Sequence, residues 1–249
     1  VGRSALGIRF YPNPAHFDWP HFYIYFNYFL YMAFAYVRNF LNYELFSFFY
    51  NDDWVFYFLT RVASTIFGTL TIVSTYFLGK SLFNKNVGLF SALALAILPL
   101  HVQYSHYSLT EAPMLFFLTI ALIYCTKIFN QATIFKSHFT VKNSINYLLA
   151  GLFIGLSAST KYNAGILAFV VPFITFLGIL NYKIYKNYFD VIKKLISLKF
   201  IYYYSVSGIF AVLGFLIGTP FSLLDFKTFT RTDGPKGALW QFTNVGSTN

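Results

Sequence analysis

The stretch HVQYSHYSLTEAP, residues 101–113, decides how this chain is read. It holds two of the five histidines and one of the eight acidic residues, with Pro99 and Pro113 at its flanks. On either side the chain turns strongly apolar, over residues 87–100 and 113–129. Ionisable groups at the ends of membrane-length segments are expensive, which makes them functional candidates. The plainer alternative is a short wet loop joining two helices.

Composition settles the class. Of 249 residues 57% are hydrophobic and 10% charged, whereas a soluble domain carries roughly 25% charged residues. Too little material remains for a water-facing surface, so the chain reads as a polytopic membrane protein. The 33 Phe and 21 Tyr fit interfacial aromatic belts and fit a biased genome equally, so they decide nothing. Cys125 is the single cysteine, lies in an apolar run, and reads as a small packed hydrophobe.

Residues 57–78 are long enough to cross: 22 residues at about 1.5 Å each reach the ~30 Å hydrocarbon core. Runs 87–100, 113–129, 145–159, 162–181 and 202–218 bring the expected crossings to six. The GLFIG motif places Gly151 and Gly155 one turn apart, a spacing that lets helices approach closely. Residues 11–20, YPNPAHFDWP, contain three prolines and cannot form a regular helix. The run 21–37 is apolar but threaded with five tyrosines and Asn27, and either spans or lies in the interface. The opening VGRSALGIRF is neither a signal peptide nor a helix start, so the chain is expected to be a piece of a longer one.

Lysines set the orientation. Lys80 and Lys85, Lys136 and Lys142, and Lys183, Lys186, Lys193, Lys194 and Lys199 fall in connections 79–86, 130–144 and 182–201. Six alternating crossings put all three connections on one face, which the positive-inside rule makes cytoplasmic. The net charge of +10 therefore sits in loops, and nucleic-acid binding loses its support. The opposite face receives Arg61, His101, His106, Glu111, Lys161 and Asp225. Asp18 joins them if 21–37 lies on the membrane.

Each of these has an unremarkable explanation. Arg61 and Lys161 suit snorkelling to headgroups, and Glu111 with Pro113 suits the first turn of a helix. His101 and His106 are five residues apart, a poor helical spacing for a metal pair. Together they say more. A carboxylate beside histidine suits activation of an acceptor hydroxyl or amine, and an Arg and a Lys at the membrane edge suit a lipid phosphate. No P-loop, Rossmann glycine pattern or GxSxG element occurs.

The segments NPAHFDWPHFYIYF (13–26), LTRVASTIFGTLTIVSTYFLGKSLF (59–83), SALALAILPLHVQYSHYSLTEAPMLFF (91–117), AGLFIGLSASTKYNAGIL (150–167) and GTPFSLLDF (218–226) occur in the order found in one superfamily. They resemble the integral-membrane GT-C glycosyltransferases of the dolichyl-phosphate-mannose–protein mannosyltransferase type, whose branch includes the bacterial lipid A aminoarabinose transferases. The resemblance implies an all-α multipass bundle in one transmembrane domain, with residues 1–56 an outer loop holding a juxtamembrane helix. Residues 57–218 would form six crossings and 219–249 begin a further outer loop.

It also implies sugar transfer from a polyprenyl or dolichyl phosphate to a protein, lipid or glycan acceptor at the outer or lumenal face. The membrane would be a prokaryotic plasma membrane or the endoplasmic reticulum. Arg61, and with it Lys161, would contact the lipid phosphate; Glu111 and His106, the catalytic candidates, would shape the acceptor side or assist proton transfer; Asp18 and Tyr104 would belong to the outer-loop part of the site. No cofactor is assigned, and a divalent metal is left open. The family's acidic Asp-Glu pair has no counterpart here, since Asp18 follows the NP turn and Asp52-Asp53 stand too far along the loop. The principal acid is therefore expected upstream of Val1, and this stretch alone is expected to be inactive. The rival classes are a transporter or flippase, with charges near mid-membrane, and a non-catalytic membrane subunit.

Overall fold

The computed structural model describes residues 12–40, 54–133, 141–181, 192–193 and 196–243, and among these every regular element is helical. α1 covers Phe22–Phe40, α2 Trp54–Leu82, α3 Lys85–Ile97, α4 Pro99–His106, α5 Glu111–Thr133 and α6 Val141–Ala158. A 3₁₀ helix, Tyr162–Phe169, runs into α7, Val170–Asn181; α8 is Leu198–Gly218. Three short helices follow: α9 (Phe221–Leu224), α10 (Phe226–Phe229) and α11 (Ala238–Thr243). Asp52, Asp53, residues 134–140 of the expected connection 130–144 and most of the connection 182–201 lie outside the described residues.

Among the described residues four helical stretches are long and apolar enough to cross a bilayer: Trp54–Leu82, Glu111–Gln131, Tyr162–Leu180 and Phe200–Gly218. The pair α3 and α4 makes a fifth if taken as one span, although it bends by 62° between Ile97 and Pro99. The chemistry of the bend is local. Proline cannot supply an amide proton and disfavours helical backbone in the residue before it. Accordingly Leu98 is extended (φ −68°, ψ 115°) and Pro99 starts a new helix. The segment expected to connect residues 101–112 is thus mostly helix, and only 107–110 lies between α4 and α5. The remaining expected crossing, 145–159, falls on α6, whose apolar part Ser144–Ala158 is shorter than a span, as is Phe22–Val37 of α1.

α2 shows why these helices pack. Its buried residues Thr60, Ala63, Ser64, Phe67, Gly68, Thr71 and Ser74 recur every three or four positions, which puts them on one stripe. Most are small, so neighbours come close, and the hydroxyls return to the preceding turn: Thr71 Oγ1 donates to the Phe67 carbonyl at 2.8 Å. α6 and α8 approach most closely. A Cβ at Gly151 would lie 2.0 Å from the Ser207 carbonyl oxygen, and one at Gly155 would lie 2.0 Å from that of Ala211. The GLFIG spacing does what its small residues allow. The largest apolar core, including Ile128, Tyr147, Ile154, Val171, Phe200 and Tyr203, lies where α5, α6, α7 and α8 meet.

α1 is anchored by its first turn. Tyr23, Asn27 and Tyr31 are buried on one stripe while Phe29, Tyr36 and Phe40 are exposed. The Tyr23 hydroxyl donates to the Thr60 carbonyl at 2.8 Å and lies 2.6 Å from Ser64 Oγ.

Candidate functional site

One end of the bundle gathers chain from five places. The irregular segment 12–21 is stitched there: the Tyr162 hydroxyl donates to the Phe17 carbonyl at 2.9 Å, and the His21 amide donates to Thr219 Oγ1 at 3.2 Å. The Phe22 amide donates to the Ser159 carbonyl at 3.1 Å. Asn13 Nδ2 donates to Asp225 Oδ2 at 2.9 Å, and Asp225 Oδ1 accepts from the Thr228 amide to cap α10. The Asn13 bond, against slight burial, holds the Asp225 carboxyl below its ordinary pKa. Asp225 is a stitch in this arrangement.

At the same end Lys161 Nζ donates to Glu111 Oε1 at 2.7 Å, across fifty positions of sequence. Glu111 opens α5, where an acid complements the helix dipole. Lys161 sits on the extended residue between α6 and the 3₁₀ helix. Their side chains retain 18% and 30% exposure, so this is a half-sheltered pair. Ser157 Oγ donates to the Met114 carbonyl at 3.0 Å and fixes the two helix ends beside it. Glu111 Oε2 is buried and, among the described residues, accepts no hydrogen bond. An ionised carboxylate has about four acceptor positions, so a sheltered oxygen is left for a proton or a hydroxyl.

Arg61 lies elsewhere at this end. With Phe58, Thr65, Gln103, His106 and Tyr107 it lines a groove of about 380 Å³ between α2 and α4. Thr65 Oγ1 donates to the Ser105 carbonyl at 3.1 Å, and a Cβ at Gly68 would lie 2.1 Å from Ser105 Oγ, so α4 is held hard against α2. His106 Nδ1 donates to the Val102 carbonyl at 2.8 Å, which leaves Nε2 as its lone-pair nitrogen. Lys161 therefore pairs with Glu111 and Arg61 shares a groove with His106, and no hydrogen bond or ion pair joins the two sets among the described residues.

His101 is buried with Nε2 3.3 Å from the Gly68 carbonyl, on a different partner from the exposed His106. Among the described residues no three His, Cys, Asp or Glu side chains stand close enough to hold a metal ion. Tyr104 is half-buried and does not line the Arg61 groove. Gln103 and Tyr107 do, and were not foreseen. Gln103 shares a helix face with His106 at a spacing of three, a signal readable only once 99–106 is known to be helical.

Asp18 meets His16, with Nδ1 2.6 Å from Oδ1. Burial alone would raise its pKa, but the His16 hydrogen bond and charge outweigh that and hold it below the ordinary value. His21 is fully buried; Nε2 donates to the His16 carbonyl at 2.6 Å, and Nδ1 has no partner among the described residues. Burial pushes its pKa down to about 4. At about pH 7.5 and above the imidazole is largely neutral in folded and unfolded chains alike. As pH falls from there towards 4, the unfolded chain takes up a proton that the folded one refuses, so stability is lost across that window. By pH 5 the loss should approach about 2 kcal/mol. Thermal unfolding in one detergent at pH 7 and pH 5 measures it, and His21→Gln should flatten the difference. An equally steep pH dependence in that variant would assign the effect to another group.

The class follows from these features: a multipass membrane protein that gathers Arg61, His106, Glu111 and Lys161 at one end of a helical bundle. The family model of dolichyl-phosphate-mannose-protein mannosyltransferase (PMT) matches residues 25–230, and the chain belongs to that family. It is therefore a glycosyltransferase of the mannosyltransferase type, an integral membrane protein with dolichyl-phosphate mannose as its donor. No curated protein and no solved structure matches the chain.

Proposed function

We propose that the protein transfers mannose from dolichyl-phosphate mannose to a hydroxyl of a protein acceptor, at the end of the bundle that holds Glu111 and Lys161, and that this end faces the lumen or the exterior. The observation that carries the reading is the Glu111–Lys161 pair, with its buried, unpartnered Oε2. Lys80 and Lys85 at the far ends of α2 and α3 support the orientation, because short cytoplasmic loops are rich in lysine.

In this mechanism Oε2 of Glu111 takes the proton of the acceptor hydroxyl as its oxygen attacks the anomeric carbon of mannose. The bond from that carbon to the phosphate oxygen breaks, and dolichyl phosphate leaves with both electrons. Arg61 meets the charge growing on the phosphate, with the Gln103 side-chain amide as an available donor in the same groove, which His106 also lines. Lys161 holds Glu111 in place, a different role from the phosphate contact its charge first suggests. Asp18 and Tyr104 belong to the surrounding wall and take no part in the proton transfer.

The test is mannose transfer from dolichyl-phosphate mannose to a serine- and threonine-containing peptide by the full-length protein in sealed vesicles. Transfer should require access to the non-cytoplasmic side, and Arg61→Ala should reduce it by about 10²–10³-fold. Unchanged transfer by Arg61→Ala would remove the phosphate assignment. Transfer to lipid or glycan with none to peptide would overturn the acceptor.

A further inference from the structure

A second groove, of about 600 Å³, lies between α2 and α5. Leu70, Val73 and Phe77 of α2 and Phe116, Ile120 and Ile123 of α5 make its walls, and Lys80 and Lys127 stand at its polar end. Its place is set by α2 itself. Arg61 and Lys80 are 19 positions apart on one helix, about 28 Å, so this groove opens towards the membrane face opposite the mannosyl-transfer end.

Three features argue for an occupant. The first is length. From Leu70 to Lys80 is ten residues, about 15 Å along the helix, which is half of a ~30 Å hydrocarbon core. The apolar walls therefore run through one leaflet, from its midplane to its headgroups. The second is charge. Both lysines are exposed, and among the described residues neither meets a carboxylate. Lys127 Nζ lies 4.3 Å from the Tyr124 ring centroid and Lys80 Nζ 5.9 Å from that of Tyr76, contacts that orient an ammonium without neutralising it. The third is rigidity. Ser81 Oγ and Thr126 Oγ1 are 3.1 Å apart beside the lysines and tie the two helices at the groove's charged end.

We infer that this groove binds an acidic phospholipid of the bilayer, its phosphate between Lys80 and Lys127 and one acyl chain along the α2–α5 walls. The site is separate from the donor site and serves no step of the transfer. It explains why two lysines rim an apolar trough that has no protein covering among the described residues.

The experiment uses the full-length protein in nanodiscs of phosphatidylcholine with added phosphatidic acid, followed by native mass spectrometry of the released protein. Phosphatidic acid should be retained in preference to phosphatidylcholine with the same chains. The double variant Lys80→Ala, Lys127→Ala should weaken retention roughly thirtyfold, each lysine contributing what a basic residue near an anionic membrane surface contributes. Val73→Trp, which fills the trough and leaves both lysines, should lose the lipid as well. Equal retention of both lipids, or undiminished retention by either variant, overturns the proposal. So does displacement by inorganic phosphate, which would mark a plain anion site, or a preference for dolichyl phosphate, which would mark a second donor-lipid site.

Discussion

Glu111→Gln in the full-length protein should lower mannose transfer by about 10²–10⁴-fold, the contribution of a positioned proton acceptor. The substitution is nearly isosteric. A glutamine carbonyl oxygen can still accept from Lys161 where Oε1 does now, at 2.7 Å, so the end of α5 should keep its seat beside α6. The property removed is the basicity of the second oxygen, which is buried and unpartnered. The loss should therefore fall on kcat, with KM for dolichyl-phosphate mannose little changed. Lys161→Met should behave differently. It leaves a carboxylate with 18% exposure without its charged partner, and should lower protein yield as well as turnover. Undiminished kcat in Glu111→Gln would reduce Glu111 to a helix-end acid and return the search for the base to another carboxylate.

Gly155→Val should yield no folded protein. Even the first atom of the new side chain would lie 2.0 Å from the Ala211 carbonyl oxygen and 2.8 Å from the Phe215 nitrogen. Both neighbours are backbone, so no rotamer change relieves the clash, and α8 must move away from α6. That separation opens a contact made of backbone against backbone, and the expected cost exceeds about 4 kcal/mol, at the far end of what single substitutions do. The control is on α8 itself. A Cβ at Gly208 meets nothing within 4 Å, so Gly208→Val should give near-normal yield and a near-normal elution profile in detergent. Aggregation of both variants alike would assign the effect to valine in these helices generally.

Helices 54–82, 111–133 and 198–218 were legible because each carries an apolar run as long as a bilayer is thick, a signal that survives any tertiary context. That α6 packs closely against a neighbour was legible from GLFIG, because small residues one turn apart let helices approach; that the neighbour is α8 was not. α4 was not. Its eight residues, PLHVQYSH, are too few and too polar to show a period, and Pro99 reads as a terminator when it is in fact a first helical residue. The site divided in the same way. Residue types and chain order collected Arg61, His106, Glu111 and Lys161 at one end, but partners are a matter of three-dimensional distance. Lys161 and Glu111 are fifty positions apart, and no local spacing rule connects them.

The 3₁₀ helix at Tyr162–Phe169 has a consequence for reach. Nineteen residues wound wholly as α-helix extend about 28 Å, slightly short of a ~30 Å hydrocarbon core. Tyr162–Leu180 spends eight of those residues in a thread that rises about 2.0 Å at each step, which lengthens the rod by about 4 Å. The tighter thread also turns about 120° per residue in place of about 100°. Over eight residues the difference accumulates to nearly half a revolution. Lys161 stands at the head of this screw, so the pitch of the first eight residues sets both the height and the bearing at which its ammonium meets Glu111.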